Sequence, residues 1–435
     1  MRRARVIAIW LILMGAGLIQ AAAASDRPDP APDASVAVPE PTPRAVHYYY
    51  TGLGLWVARK LWAFAVPVVW IVGGAAAALG RKVRRLPYLA AVFAFTGGYE
   101  LITALLNLPW TIYLGFLRPR DYGLGTQPLG DFLADQLKSL ALGLVLTWAA
   151  VGGVYFLLRR YPRRWWIWAG LAVVPISLGL TFVVPIWIDP LFHEYGPLAD
   201  RKLEAQILEL AARVGAGDAE VYQVDMSRET RAVNAYVTGL LGTKRIVLWD
   251  TLLERLAPDE VLAVVGHELG HYVLNHVPLG VLVGSGLTFI GLGAVATMAR
   301  RVVPTLTARY GITRLDEPAS LPVLLLLAQA VSFLLMPIGY AVSRRIEHEA
   351  DRFALELTHD NNAAARAFVA LQQTNLGYPR PGLLSTLLRS SHPSLADRIE
   401  FCNRYRPWSE GRPLAYERFL NRSGQTPSSD SAAPR

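Results

Sequence analysis

Six apolar runs, each long enough to cross a lipid bilayer, confine this chain to a membrane-spanning helical fold. They cover residues 61–79, 88–108, 139–158, 165–188, 277–299 and 321–342. A helix rises about 1.5 Å per residue, so about 20 apolar residues cover a hydrocarbon core of about 30 Å. In hydrocarbon every backbone N–H and C=O must find a partner within the protein, and a helix supplies those partners inside one segment. A single run of this kind can be the buried helix of a soluble core. Six of them, in a chain with 53% hydrophobic and 18% charged residues, call for lipid to cover much of the apolar surface. Trp62, Tyr88, Trp165 and Trp166 stand near run ends, where amphipathic rings anchor at the membrane interface. Glu100 interrupts the second run, and a carboxylate at that depth must face other helices or a wet cavity.

Charge supports the same picture. Lys and Arg number 43 against 34 Asp and Glu, a net +9. A basic balance can signal nucleic acid, but here the positive residues cluster beside apolar runs, so no nucleic-acid partner is expected. Three connections are strongly basic: Arg81, Lys82, Arg84 and Arg85; Arg159, Arg160, Arg163 and Arg164; Arg300, Arg301, Arg309 and Arg314. Alternation along the chain puts all three on one side. The connection 109–138 falls on the other side, where Arg118, Arg120 and Lys138 are matched by Asp121, Asp131 and Asp135. Basic loops stay cytoplasmic, so the remaining polar segments are expected outside the cytoplasm, in the periplasm of a bacterial inner membrane; a site facing the cytoplasm is the alternative. Cys402 is the only cysteine and forms no intramolecular disulfide, so it does not identify the compartment.

These features divide the chain. Residues 1–24 read as an export signal or an uncleaved first span: Arg2, Arg3 and Arg5, an apolar run from 6 to about 19, then alanines at 21–24. Residues 25–46, with Pro28, Pro30, Pro32, Pro39, Pro41 and Pro43, read as an extended linker. Four spans occupy 47–188, a polar segment 189–276, two more spans 277–342 and a second polar segment 343–422. The Ser- and Pro-rich tail 423–435 is expected to be disordered. In the first polar segment, periodicity predicts a helix over 198–214 and strands at 221–224 and 244–249. Residues 234–240, NAYVTGL, read as an edge strand between them. A short helix over 250–256 follows. A longer one starts near Pro258, with Asp259 and Glu260 in its first turn.

That longer helix carries His267-Glu268-Leu269-Gly270-His271. Residues four apart lie on one face of adjacent turns, so two imidazoles can converge on one zinc ion. Glu268, directly after the first histidine, is placed to act as general base. Gly270 leaves room on the adjoining face. Exposed helix histidines beside a chance glutamate are the plain alternative. A catalytic zinc site needs a third protein ligand. Glu347 and Asp351, also four apart, begin as the sixth run ends; one can ligate while the other accepts the spare ring N–H of a ligand histidine. Their neighbours His348 and Glu349 point elsewhere on that helix and are expected at the surface.

In combination these motifs resemble the integral-membrane zinc CAAX prenyl proteases of type I. Alongside HELGH at 267–271, EHEAD at 347–351 and NAYVTGLLGTKRIVLWDTLL at 234–253, the chain has YGLGTQ at 122–127, Asp189-Pro190-Leu191-Phe192 and SHPSLADRI at 391–399, in the family's order. The resemblance covers roughly residues 109–406. It implies a polytopic, mainly α membrane protein, of six spans plus the N-terminal signal or seventh span. An α+β zinc metallopeptidase domain is then split around the last two spans. One zinc ion per chain would be held by His267, His271 and Glu347, with Asp351 behind them. His392 resembles the family histidine near the scissile carbonyl, Asn234 the residue on the substrate-holding edge, and Arg398 a structural basic residue. Taken on the residues alone, His392 can equally cap or pack, and Asn234 can serve a turn. The N-terminal signal and Pro-rich linker depart from the family pattern. The expected activity is endopeptidase cleavage of membrane-associated proteins or peptides. Removal of a C-terminal tripeptide from prenylated CAAX proteins and an inactive membrane scaffold are the alternatives.

Overall fold

The structure, a computed structural model, describes residues 35–238 and 244–420. From Val36 onward the chain forms one compact unit. The predicted signal, most of the predicted linker and the tail 423–435 lie outside the described residues.

Six helices are long and apolar enough to cross a membrane: Pro43–Val72, Tyr88–Asp121, Leu129–Arg160, Trp165–Leu191, His276–Thr307 and Pro318–Thr358. The most apolar window of the fourth has 0% of its residues buried, as a lipid-facing helix requires. The first span departs from its expected limits. Helix α1 (Pro43–Val72) begins with Pro43 at its first position and Thr42 as N-cap, whose hydroxyl accepts from the Ala45 N–H at 3.1 Å. It ends at Gly73-Gly74, where Gly74 has φ 74°, a conformation that favours glycine, and α2 (Ala75–Val83) starts as a separate helix. The span is therefore 43–72 rather than 61–79. The end of the expected linker is also not free. Val36 exchanges backbone hydrogen bonds of 2.9 Å with the Asn403 amide, and Gln372 donates to the Pro39 carbonyl at 2.9 Å. Residues 36–39 form a strap whose Val36 and Val38 pack against the buried cluster that includes Phe368 and Ile399.

Helices α3 (Tyr88–Ile112), α4 (Leu129–Arg160) and α5 (Trp165–Val183) complete the first four spans. The membrane core gathers Trp70, Phe95, Tyr155, Leu158, Trp165, Val295 and Leu324. Polar groups there are paired: the Tyr155 hydroxyl lies 2.8 Å from Ser320 Oγ, and Tyr88 donates to the Tyr155 and Asp316 carbonyls at 3.0 Å.

The polar segment folds as strand β1 (Tyr195–Pro197), helix α6 (Arg201–Ala212) and strands β2 (Glu220–Val224), β3 (Ala235–Thr238) and β4 (Arg245–Trp249). Helices α7 (Asp250–Arg255) and α8 (Pro258–Val273) follow. The sheet order is β1-β2-β4-β3, with β2 and β4 parallel and the outer pairs antiparallel, so β3 is an edge strand as expected. Strand β1 was not expected; three residues including a glycine and a proline carry no alternation to detect. Leu203, Ile207, Ile246, Leu248, Val265, Leu269 and Phe353 form the second core.

Helix α9 (His276–Tyr310) is the fifth span. Helix α10 (Leu321–Thr358) runs unbroken through the expected boundary at 342/343. From Leu321 to Glu347 it rises about 39 Å at about 1.5 Å per residue. Arg84, Arg159 and Arg314 line one cavity of about 700 Å³ beside Pro318. The three basic connections thus meet where α10 starts, a membrane thickness away from Glu347. Helices α11 (Asn361–Thr374), α12 (Leu383–Arg389) and α13 (Leu395–Arg404) close the structure.

Candidate metal centre

Two glycines bring α8 against α10. A Cβ on Gly270 would lie 3.2 Å from Phe353 Cβ and 3.3 Å from Ala350 Cα, and one on Gly266 would lie 3.3 Å from Thr358 Cγ2. Standing one turn apart, they leave no side chain between the helices. The close contact sets Glu347 and Asp351 beside His267 and His271.

The three candidate ligands form a tight triangle. His267 Nε2 and His271 Nε2 face each other at 3.1 Å; Glu347 Oε2 is 3.3 Å from His267 Nε2 and Glu347 Oε1 is 3.5 Å from His271 Nε2. A tetrahedral zinc with ligand distances of about 2.0–2.1 Å has ligand–ligand edges of about 3.3 Å. The observed separations bracket that value. Glu347 Oε2 is buried and has no hydrogen-bond donor among the described residues. A shared cation would satisfy it together with both imidazoles, so the donor set fits zinc in number, chemistry and spacing.

Behind the triangle sits a buried ion pair. Asp351 Oδ1 lies 2.8 Å from His267 Nδ1, and Arg398 clasps the same carboxylate through Nη2 at 2.6 Å and Nε at 2.9 Å. Ser394 caps α13 by accepting from the Asp397 N–H at 3.0 Å, and this start to the helix aims Arg398 inward. Arg398 also lies over the Phe368 ring at 4.0 Å. With Nδ1–H given to Asp351, His267 in its neutral, metal-binding form would turn the Nε2 lone pair into the triangle. Burial opposes protonation of His267, but the hydrogen bond to Asp351 and the neighbouring Glu347 carboxylate outweigh it and raise its pKa to about 9 when no metal is bound. Burial, reinforced by the charge on His267, pushes His271 down to about 3, which keeps that imidazole neutral. Glu268 is raised to about 7, chiefly by burial.

A cavity of about 480 Å³ opens onto this centre, lined by Asn234, His267, Glu268, Asp351, His392 and Arg398 among others. His392 Nε2 is 3.2 Å from Glu347 Oε2, and Ser391 Oγ is 2.8 Å from His392 Nδ1. Asn234 is exposed at the rim beside β3, its carbonyl accepting from the Trp249 N–H at 3.2 Å. All eight residues singled out in the sequence therefore gather here. Two surface expectations are corrected. The His348 ring packs on Phe401 with centroids 4.4 Å apart, and Glu349 reaches back to His276 at 3.6 Å. His276 itself touches His271 and was not found from sequence, because a residue five positions on does not share a helix face.

Known proteins are similar to this chain over most of its length. Residues 197–405 match the family model described as Peptidase family M48, and residues 25–194 match one described as CAAX prenyl protease N-terminal, five membrane helices. The Bacillus subtilis (strain 168) metalloprotease YhfN is 34% identical over 403 residues, covering 90% of this chain and 91% of its own length. The probable CAAX prenyl protease 1 of Schizosaccharomyces pombe is 31% identical over 313 residues, covering 71% of this chain and 65% of its own. The crystal structure of S. mikatae Ste24p shares the fold, with a TM-score of 0.75 at 24% identity, covering 83% of this chain and 88% of that one.

Proposed function

The chain belongs to peptidase family M48 and is an integral-membrane metallopeptidase, and we propose that it holds one zinc ion on His267, His271 and Glu347 and cleaves peptide bonds of membrane-associated proteins or peptides. The observation that carries this reading is the donor triangle, set at the end of a membrane helix and opening onto an edge strand. Held by His267, His271 and Glu347, a zinc ion would supply polarisation of the peptide carbonyl and a water acidic enough to attack near neutral pH.

The chain's own residues do the rest. Glu268 takes the proton of the attacking water and later delivers it to the leaving amine, the general-base and general-acid role its place beside the first histidine allows. His392, on the open side of Glu347, donates to the oxyanion that develops on the carbonyl. An extended substrate pairs with the edge of β3, which no other described strand occupies, next to Asn234 through backbone hydrogen bonds, so side-chain selectivity is loose. Asp351 and Arg398 hold the His267 ring. The basic ends of the spans remain cytoplasmic, and the metal centre, about 39 Å along α10, faces the periplasm of a bacterial inner membrane.

Glu268→Gln tests the assignment. The variant is expected to bind zinc and lose turnover. Comparison of membrane peptides from cells carrying the native chain or the variant is expected to reveal internal cleavage products only with the native chain. Identical peptides in both would reject the activity, and loss of zinc would make Glu268 a ligand. Products lacking only a C-terminal tripeptide would move the assignment to CAAX cleavage, the activity named for the yeast relative. The complete donor set with a base beside it argues against an inactive scaffold.

A further inference from the structure

The turn between α8 and α9 returns a third histidine to the metal centre. Helix α8 ends at Val273, Asn275 adopts φ 57° and ψ 38°, and α9 begins at His276. Along an unbroken helix of about 3.6 residues per turn, a residue five positions after His271 points about 140° away from it. Left-handed Asn275 breaks the helix, in a conformation that asparagine tolerates better than most residues. His276 Nδ1 consequently lies 3.1 Å from His271 Nδ1, with the ring centroids 5.1 Å apart. The His276 side chain is 3% exposed, and its Nε2 faces Glu349 Oε2 at 3.6 Å. Glu349 Oε1 in turn meets Arg345 Nε at 3.3 Å.

Proton placement follows from the contacts. His271 turns Nε2 toward His267 and Glu347, so its hydrogen sits on Nδ1. His276 Nδ1 accepts that hydrogen, which puts the hydrogen of His276 on Nε2, toward the Glu349 carboxylate. Each candidate ligand imidazole then has its outer nitrogen held. Asp351 holds His267 directly and His276 holds His271, while Glu349 stands beyond His276 at 3.6 Å as a nearby charge outside hydrogen-bond reach.

We infer that His276 is a positioning residue for the metal centre, fixing the tautomer and rotation of His271 from behind. The inference rests on the proposed ligation by His271. Groups in this place tune a metal site by orienting the ligand and raising its basicity.

Two polar variants of the full-length protein in detergent separate this role from simple packing. His276→Asn places an amide oxygen near the position of Nδ1, whereas His276→Gln carries its amide one carbon further out, toward Glu349. Zinc affinity is read by chelator competition, and ligand geometry by the visible spectrum after cobalt substitution, neither of which needs turnover. His276→Asn is expected to bind zinc within a few-fold of the parent. His276→Gln is expected to bind about 10–100-fold more weakly, with a displaced cobalt band. Parent-like affinity and spectrum in both variants, while His271→Ala loses the metal, would overturn the positioning role. Retention of zinc in His271→Ala would instead overturn the ligand assignment beneath it.

Discussion

Replacing Asp351 by alanine tests the buried architecture behind the metal. The Asp351 side chain is 2% exposed and that of Arg398 9%, so neither charge has water to fall back on. Removal of one partner of such a pair costs about 3–5 kcal/mol, because the other charge stays buried and unpaired. The same substitution frees the His267 ring, and loss of an outer hydrogen bond of this kind lowers metal affinity about 10–100-fold. A second consequence follows from position. Arg398 Nη2 lies 4.0 Å from Glu347 Oε2, so a guanidinium released from Asp351 can swing onto that carboxylate and compete with the cation. Adding Arg398→Met to Asp351→Ala removes the stranded charge and the competitor together. The double variant is therefore expected to be more stable than Asp351→Ala and to regain part of its zinc affinity. Denaturant unfolding in detergent and chelator competition measure the two quantities across a double-mutant cycle. Additive effects in both assays would refute the coupling, and an Asp351→Ala variant that loses neither stability nor affinity would refute the whole account.

Glu347→Ala is expected to lower zinc content and activity together, and further than Asp351→Ala does; the opposite order in metal analysis would exchange their roles. Orientation is read from fusions after Ser423: alkaline phosphatase is expected to be active there and green fluorescent protein dark, and the reverse pattern would put the metal centre in the cytoplasm. His193 and Glu229, 3.7 Å apart, give a pH signature. The Glu229 carboxylate beside it raises His193 above its ordinary 6.5 even though burial opposes it. Its stabilising contribution is thus complete below 6.5 and disappears as pH rises through the raised value. Unfolding free energy is expected to fall with pH over that interval more steeply in the parent than in His193→Gln, and equal slopes would exclude the pair as the cause.

What could be read from the chain alone was local in origin. Hydropathy is summed along a segment, so the six spans were visible without knowledge of their neighbours. The four-residue spacing of His267 and His271, and of Glu347 and Asp351, is a property of one helix at a time. Even so, local pattern misplaced the first span, because the Gly73-Gly74 break and the Thr42 cap settle its ends more firmly than hydropathy does. Tertiary structure decided whatever depends on two segments meeting. Depth of contact at Gly266 and Gly270 determines which carboxylate oxygen reaches which imidazole. A left-handed Asn275 determines that His276 turns back onto His271, and no periodicity links those positions. The strap at 36–39 lies against Gln372 and Asn403, more than 300 residues away in sequence, and a proline-rich stretch carries no local sign of such partners. Helical period and apolarity are set by neighbours along the chain; the second nitrogen of each candidate ligand histidine meets groups that only folding brings within reach.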